Sequence, residues 1–484
     1  MSLTFIAGAL ILASQPTSVE VTVYNQGFGL VKEVRRIELK AGRQEIAVED
    51  VAAMIQPTSV GIRSLDPAKT FDVLEQNYQY DLISVQAILN KAVGQQIKFV
   101  RTFDNGRKEV VEGVLLSAPT AIVTTGGSGF QPGVGFGGTQ QTYNGMVIRT
   151  ADGRILLNPV GEVEVSSIPE GMISKPTLLW DVQTQTPGPV NVELSYISNG
   201  LTWNADYVMT LGVATNVSDF RGWVTLDNQS GVTYKDATLK LLAGDVNLAP
   251  APTGRGGGGF GGAMAMEMAA KGFQEESLFE YHLYTLQRPS TIRNRETKQL
   301  SLLEGDNVRF TKRIILDSMI GWGVYYPSEG EVGTGPLKPQ VRVEFDNTKE
   351  NGLGVPLPMG KVVVYQRDQS GSVQMLGEDR IQHTPQGERV SLVVGRSFDI
   401  VGERKRTNFR RLGPSMVEES FEISVRNRKK EPETVYVYER RYGDWNVTQT
   451  SMPFTKLDAN TMSYEVRLQP DEERKITYTV TTRW

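Results

Sequence analysis

The chain contains no cysteine among its 484 residues and only two histidines, His282 and His383. Without cysteine it has neither a disulfide framework nor a thiolate zinc site. Histidine is a frequent general base and the commonest metal ligand in proteins, so two histidines leave little scope for such chemistry. The composition therefore points away from most nucleophilic, redox and transition-metal catalysis. We predict no catalytic residue, no metal and no cofactor.

An excess of charge of either sign is also lacking. The chain has 51 Lys and Arg against 55 Asp and Glu, and the net charge is -4. A nucleic-acid-binding protein would usually present a strongly basic face, so we predict no nucleic-acid partner. Hydrophobic residues make up 39% and charged residues 22%, as in a folded globular protein. A chain of this length exceeds one hydrophobic core, which predicts several domains.

The N-terminus, MSLTFIAGALILASQ, is apolar from Leu3 to Leu12. This length is typical of the hydrophobic region of a signal peptide and is too short for a membrane span. Because no Lys or Arg precedes Lys32, a buried first strand or a misassigned start codon is the alternative. We predict a signal peptide over residues 1–14 and a protein exported to the periplasm or cell surface. No other apolar run of about 18 residues exists, so we predict no transmembrane segment.

Alternation of apolar and polar residues runs along most of the chain. Val19, Val21 and Val23 share one face of a strand, and turn pairs such as Asn199-Gly200 separate later strands. The pattern predicts a mainly β, multi-domain protein that combines a small SH3/Sm-like barrel with immunoglobulin-like β-sandwiches. The predicted domains are an N-terminal β domain (15–75), a short helix with the small barrel and a Gly-rich loop at 126–145 (76–167), a sandwich with a low-complexity insertion at 249–272 (168–300), and a C-terminal sandwich (301–484).

A cationic segment, GERKRTNFRR, is the sharpest candidate for a contact with a partner. Its candidate residues are Arg404, Lys405, Arg406, Phe409, Arg410 and Arg411. If its loop meets the basic run at 426–430, the two would form a patch that holds an acidic polysaccharide or an envelope protein. The alternative is that these cations are solvated strand ends, which discourage edge-to-edge association of sheets.

Four aspartates near Trp203 and Trp223 offer a different function. They are Asp206, Asp227, Asp236 and Asp245. A glycosidase needs only two carboxyl groups, and aromatic rings beside acids can form a sugar site. A carboxylate-based enzyme that acts on extracellular polysaccharide is therefore the alternative function. Against it, tryptophan in a sandwich is more often part of the core.

Two further motifs carry less information. The run from Gly133 to Gly138 matches G-x-G-x-x-G, but it follows Pro132 and precedes TQQTYNG, with no helix for a pyrophosphate to meet. We therefore expect a loop there rather than a nucleotide site. His282 and His383 lie in a strand and in a turn respectively, and neither is accompanied by a nucleophile motif.

Several longer segments resemble one bacterial family. They include VEVTVYNQGFGLVKEVR at 19–35, GWVTLDNQSGVTYKDATLKLLAGDVN at 222–247, FEYHLYTLQRPSTIRNRETKQLSLL at 279–303 and NTKENGLGVPLPMGKVVVYQRD at 347–368. Over residues 18–484 the chain resembles the domain-of-unknown-function family related to the C-terminal part of mucoidy-inhibitor A homologues. The sequence lacks the N-terminal coiled-coil region of those homologues, so a role tied to that region is not expected.

The resemblance implies a β-rich, exported protein for which the family offers no established catalytic residues. The family's association with mucoid colonies implies a connection with envelope or exopolysaccharide physiology. Combined with the composition, this predicts a non-catalytic binding or scaffold protein of the bacterial cell envelope. Its expected partner is an envelope protein or an acidic polysaccharide.

Overall fold

The computed structural model describes residues 10–102, 107–125, 140–169, 172–213, 215–244, 246–247, 273–319, 325–330 and 333–484. Strands account for 64% of the chain and helices for 3%, and the strands form several separate sheets. The predicted mainly β, multi-sheet class is therefore confirmed. Among the described helices, none has the length and apolar character needed to cross a membrane.

The regular elements follow one another closely. The strands of the first third are β1 (Leu10–Leu12), β2 (Ser18–Tyr24), β3 (Phe28–Leu39), β4 (Gly42–Glu49), β5 (Gly61–Ser64), β6 (Asp72–Gln79), β7 (Gln96–Thr102), β8 (Lys108–Ser117), β9 (Ala121–Thr125), β10 (Gln140–Asn144), β11 (Val147–Thr150), β12 (Ile155–Leu157) and β13 (Glu162–Val165). Those of the middle are β14 (Thr177–Thr184), β15 (Gly188–Asn199), β16 (Leu201–Leu211), β17 (Val217–Asn228), β18 (Tyr234–Ala243), β19 (Phe273–Leu278), β20 (Tyr281–Leu286), β21 (Ser290–Ile292) and β22 (Glu296–Arg309).

The last third contains β23 (Thr311–Asp317), β24 (Gly335–Leu337), β25 (Gln340–Asp346), β26 (Gly360–Arg367), β27 (Val373–Ile381), β28 (Arg389–Arg396), β29 (Ile400–Gly413), β30 (Met416–Asn427), β31 (Glu433–Arg440), β32 (Asp444–Thr450), β33 (Thr455–Lys456), β34 (Thr461–Leu468) and β35 (Glu473–Arg483). The described helices are α1 (Val85–Lys91) and two 3₁₀ turns, Pro57–Ser59 and Lys349–Asn351.

The chain divides into two compact units, each built from discontinuous segments. The first comprises Met1–Val19, Leu30–Asn199 and Ser230–Thr233, and the second comprises Glu20–Gly29, Gly200–Gln229 and Tyr234–Trp484. In the first unit, β1, β4, β14 and β6 form one sheet in that order, and β15 lies between β3 and β5 in another. Strand β1, which lies within the predicted signal peptide, runs parallel to β4. The signal peptide over residues 1–14 stays a prediction.

The predicted small barrel corresponds to a five-stranded antiparallel sheet of order β12-β11-β8-β7-β13. No closed barrel is present in the described part of the chain, where β12 and β13 form the two edges of this sheet. Helix α1 packs its Leu89 into the core of this sheet. The helix begins after Ser84, whose hydroxyl accepts from the backbone N–H of Ala87 at 3.1 Å.

The predicted Gly-rich loop at 126–145 is only partly visible. Residues 126–139 lie outside the described residues, as does the whole of the predicted 249–272 insertion. Residues Gln140–Asn144 form strand β10, which pairs with β9, and Tyr143 is buried in the core of the small sheet. The loop prediction is therefore corrected at its C-terminal end, where the tyrosine packs against Phe99.

The C-terminal part of the second unit is a two-sheet sandwich. One sheet has the order β28-β25-β23-β31-β34-β33 and the other β24-β29-β30-β35-β32. Alternate residues of both sheets meet in one apolar core, with Leu316 and Val437 from the first sheet and Phe421 and Ile476 from the second. Strands β26 and β27 instead complete a five-stranded sheet of order β22-β17-β16-β26-β27.

Candidate functional site

The cationic segment lies on strand β29 and not in a loop. Strand alternation directs Lys405 to solvent, whereas the side chains of Arg404 and Arg406 are only 1% and 7% exposed. Phe409 is half-buried beneath the guanidinium of Arg406, at 4.8 Å from the ring centroid. The structure thus corrects the expected surface patch, because two of its cations point into the space between the sheets.

Arg404 is held in the core by a complete set of partners. Its Nε donates to Glu439 Oε1 at 2.9 Å and its Nη2 donates to Glu439 Oε2 at 2.9 Å. The Nη1 group donates to the carbonyl oxygen of Gly333 at 3.2 Å, and the guanidinium lies 4.0 Å from the centroid of Phe421. Both members of the ion pair are 1% exposed. A buried, bidentate pair of this kind serves to fix the sheets and offers no surface to a ligand.

The same cluster contains a second glutamate. Glu419 Oε1 accepts from the hydroxyl of Tyr325 at 2.7 Å and from Arg406 Nη1 at 3.2 Å. Arg441, which follows β31, donates to Glu439 Oε2 at 3.2 Å and has no exposed surface. Three arginines therefore face two glutamates inside the sandwich.

Burial and charge shift the pKa values of this cluster in opposite directions. Burial alone would raise the pKa of the Glu439 carboxyl, but the positive charges of Arg404 and Arg441 outweigh it and hold the pKa below its usual value. Burial and the neighbouring Glu419 carboxylate raise the pKa of Tyr325 to about 12. The Glu439 carboxyl therefore stays ionised and the Tyr325 hydroxyl stays neutral at ordinary pH.

The exposed cations of β29 have carboxylate neighbours. Lys405 Nζ lies 3.1 Å from Glu403 Oε1, and Arg410 Nη2 lies 2.9 Å from Glu418 Oε1. Arg411 is exposed near the end of the strand. Exposed ion pairs of this kind contribute little to stability, and their carboxylates reduce the positive electrostatic potential at this surface.

The second basic run is balanced in the same way. Lys429 Nζ lies 2.6 Å from Glu433 Oε1, and Arg428 Nη1 lies 3.7 Å from Asp471 Oδ1. Lys429 and Arg428 of this run therefore each have a carboxylate neighbour, as Lys405 and Arg410 do.

Two of the four aspartates of the alternative function, Asp206 and Asp227, lie on one sheet face but far apart. Asp206 on β16 is opposite Trp223, and Asp227 on β17 is opposite Thr202. Positions 202 and 206 of one strand are separated by roughly 13 Å at about 3.3 Å per residue. Paired glycosidase carboxyls lie about 5 to 9.5 Å apart, so this register does not favour such a pair. Each carboxylate instead accepts from a threonine hydroxyl, Asp206 from Thr225 at 2.7 Å and Asp227 from Thr297 at 2.8 Å.

The tryptophans beside these acids have different environments. Trp203 is buried and its Nε1 donates to the carbonyl oxygen of Leu242 at 3.3 Å, whereas Trp223 is 40% exposed. Asp236 lies in strand β18, at a register shift between Tyr234 and Ala237, where it has a φ of 44° and contacts Thr291. Asp245 lies outside the described residues. Trp203 is therefore a core residue, as expected for a sandwich.

Both histidines make local contacts. His282 Nδ1 lies 2.7 Å from Oε1 of the buried Glu275, across the β19–β20 hairpin. His383 Nδ1 accepts from the backbone N–H of Met359 at 3.2 Å. No group of three or more His, Cys, Asp or Glu side chains able to hold a metal ion occurs within the described residues.

A polar cleft of about 270 Å³ lies in the second unit, along β23, β25 and β28. Its charged lining consists of Arg309, Arg313, Glu344, Asp346 and Arg389. These strands are neighbours in one sheet, where Asp346 is paired with Arg389 and Thr311 with Glu344. Outward-facing positions of these three strands supply four of the charged groups, and Arg309 lies at the end of β22, just before β23 begins.

Two of the three arginines are tied to the two acids. Arg389 Nε donates to Asp346 Oδ1 at 2.8 Å, and its side chain is 59% exposed. Arg313 Nε lies 3.0 Å from Glu344 Oε2, and its guanidinium lies 4.9 Å from the ring centroid of Tyr436. These contacts orient the guanidinium groups and leave further N–H donors for a ligand.

Arg309 differs from the other two. Its Nη2 donates to the neutral carbonyl oxygen of Glu350 at 3.1 Å. Its backbone is fixed by Asn351, whose side chain accepts from Arg309 N at 2.8 Å and donates to Arg309 O at 3.1 Å. Because three guanidinium groups face two carboxylates, the lining carries one net positive charge. Such a cleft can hold a carboxylate, sulfate or phosphate group.

Sequence reasoning missed these three arginines. Arg309 and Arg313 lie close together at the junction of β22 and β23, but Arg389 follows several strands later, and each occupies an outward position at or beside an ordinary alternating strand. Only the order of β23, β25 and β28 in the sheet makes them neighbours, and alternation alone does not give strand order.

No protein-family model matches the chain, and the comparison with curated proteins finds no match. The resemblance to the family related to the C-terminal part of mucoidy-inhibitor A homologues therefore stays a prediction.

Proposed function

We propose that this chain is a non-catalytic binding protein of the bacterial cell envelope, and that the arginine-lined cleft binds an acidic saccharide. The observation that carries the proposal is the convergence of Arg309, Arg313 and Arg389 on one polar cleft with only two carboxylates. A uronate residue offers a carboxylate for a guanidinium fork and hydroxyl groups for neutral polar side chains. Thr311 and Thr348 supply such side chains in the lining.

The size and polarity of the cleft support a saccharide. Pockets for drug-sized ligands usually exceed about 300 Å³ and are mostly apolar. This cleft is smaller, at about 270 Å³, and nearly all of its lining side chains are polar or charged. We therefore propose that it accommodates one sugar residue of a longer polymer, while neighbouring residues extend into solvent.

Titration calorimetry tests the proposal with polyuronate oligosaccharides and matched neutral oligosaccharides. We expect binding of the polyuronate only, weakened by added salt because exposed charges are screened. Arg309→Gln and Arg389→Gln should each weaken binding about ten-fold, since a hydrogen bond to a charged group contributes about 1.5–3 kcal/mol.

The matched control is Arg467→Gln, which removes an 80% exposed arginine from β34. It should leave the affinity unchanged. Equal binding of neutral oligosaccharides, or full affinity in both cleft variants, would contradict the proposal.

Envelope location is a separate part of the proposal, and it rests on the apolar run from Leu3 to Leu12. Cell fractionation with intact-mass analysis tests it. We expect a processed chain in the envelope fraction. A full-length chain in the cytoplasm would refute export, whatever the cleft binds.

A further inference from the structure

The hairpin of β19 and β20 ends in a phenylalanine that its local structure does not favour. Leu278 pairs with Tyr281, so Phe279 and Glu280 form a two-residue loop. Phe279 has a φ of 59°. Two-residue hairpin loops take glycine, asparagine or aspartate at such positions, and a bulky side chain with positive φ is an outlier.

The ring of Phe279 is also among the most exposed large side chains of the protein. It is 84% exposed, and the neighbouring Leu278 is 46% exposed. Single exposed apolar residues are common, but Phe279 combines exposure with an unfavourable backbone conformation in the hairpin loop. Neither feature stabilises the hairpin. Strained residues that persist are often parts of contacts with ligands or partners.

The charge around the tip selects the kind of partner. Residues 273–282 contain Glu275, Glu276 and Glu280 and no Lys or Arg. Glu275 is buried against His282, whereas Glu276 and Glu280 are exposed on either side of the apolar tip. Anionic lipid headgroups would repel this arrangement. A protein pocket with a basic rim would complement it.

We propose that the tip formed by Leu278, Phe279 and Glu280 inserts its phenylalanine ring into an apolar pocket of a partner protein. Basic side chains at the rim of that pocket contact Glu276 and Glu280. The ring acts as the buried anchor of the interface, and the two carboxylates set its orientation. This contact is independent of the arginine-lined cleft and of its ligand.

The first experiment places the photoreactive residue p-benzoylphenylalanine at position 279 of the full chain in the producing cells. The adduct is identified, and the partner is then purified for affinity measurements with the wild-type protein and its variants. Failure to form an adduct at position 279 overturns the proposal.

The decisive variant is Phe279→Gly. Because glycine suits the positive φ, the melting temperature should be unchanged or higher, whereas affinity for the purified partner should fall by about ten-fold or more. Glu276→Gln with Glu280→Gln should weaken binding and reduce its salt dependence. Phe398→Gly is the matched control, since it removes an 86% exposed phenylalanine elsewhere in the same unit. It should leave affinity unchanged.

Vesicles of phosphatidylcholine and phosphatidylglycerol test whether the tip binds a membrane instead of a protein. The wild-type protein should not bind them. Vesicle binding that disappears in Phe279→Gly would assign the tip to a membrane and overturn the proposal. Full affinity of Phe279→Gly for the crosslinked partner would overturn it as well.

Discussion

Arg404 and Glu439 form a bidentate ion pair between the two sheets of the C-terminal sandwich, with both N–O distances at 2.9 Å. Arg404 belongs to β29 in one sheet, and Glu439 belongs to β31 in the other. Both side chains are 1% exposed. The pair therefore links two layers whose remaining contacts are mainly apolar.

Removing one member of this pair should strongly destabilise the sandwich. We expect Arg404→Met to lower the free energy of unfolding by about 3–5 kcal/mol, because the buried Glu439 carboxylate would lose both hydrogen bonds from Arg404 and keep only the longer one from Arg441 among its arginine partners. Denaturant unfolding monitored by tryptophan fluorescence measures the change. Arg410→Gln is the control, since its exposed pair with Glu418 should contribute less than about 1 kcal/mol. Similar losses of unfolding free energy in the two variants would show that burial does not determine how much these ion pairs contribute to stability.

The ion pairs of Glu433 with Lys312 and Lys429 predict that the stability of the sandwich falls at acidic pH. Burial alone would raise the pKa of the Glu433 carboxyl, but hydrogen bonds from Lys312 and Lys429 outweigh it and lower the pKa from its usual 4.5. A lowered folded-state pKa contributes stability above about pH 4.5, and this contribution is lost as the pH falls through the folded-state value.

The corresponding test compares wild-type protein with Glu433→Gln. We expect a stability difference of about 1–2 kcal/mol at pH 7 that shrinks steadily below about pH 4.5. Unfolding at a series of pH values checks it. A difference that stays constant down to low pH would show that the carboxylate charge is not its source.

The sequence predicted the strands better than the charges. Alternation placed Val21 and Val23 on one face of a strand, and both are buried in β2. The same alternation puts Arg404 on the buried face of β29. An arginine is rarely buried without a partner, so the sequence alone favoured the surface. Its partner Glu439 lies on a different sheet, and only the packing of the sheets brings the two together.

The candidate cleft was unpredictable for a related reason. Arg309 and Arg313 are close in sequence, but Arg389 is separated from them by several strands, and its approach to them depends on β25 lying between β23 and β28. Conversely, the aspartates near Trp203 are close in sequence, yet the register of β16 and β17 keeps Asp206 and Asp227 apart. Proximity in sequence was therefore misleading for the aspartates, and it gave no indication that Arg389 lies beside Arg309 and Arg313.

A close approach between the two sheets should make Gly402 intolerant of substitution. A Cβ at this position on β29 would lie 2.5 Å from both terminal carbons of Leu316 on β23. We expect Gly402→Ala to cost about 1–3 kcal/mol, because overpacking forces the sheets or the leucine to move. Gly395→Ala on β28 is the control, since nothing lies within 4 Å of its Cβ. Thermal unfolding of both variants measures the difference, and equal stability would refute the close approach.

Asp206 and Asp227 separate the binding function from the enzymatic alternative. If the chain binds saccharide through the arginine-lined cleft, Asp206→Asn and Asp227→Asn should leave polyuronate affinity unchanged. Each asparagine retains an oxygen that accepts from Thr225 or Thr297, so stability should change by less than about 1 kcal/mol. Incubation with polyuronate and with neutral polysaccharide, followed by a reducing-end assay, measures hydrolysis directly. Cleavage by wild-type protein that both variants abolish would establish the carboxylate enzyme despite the wide register, because a catalytic carboxyl pair loses its activity when either member is neutralised.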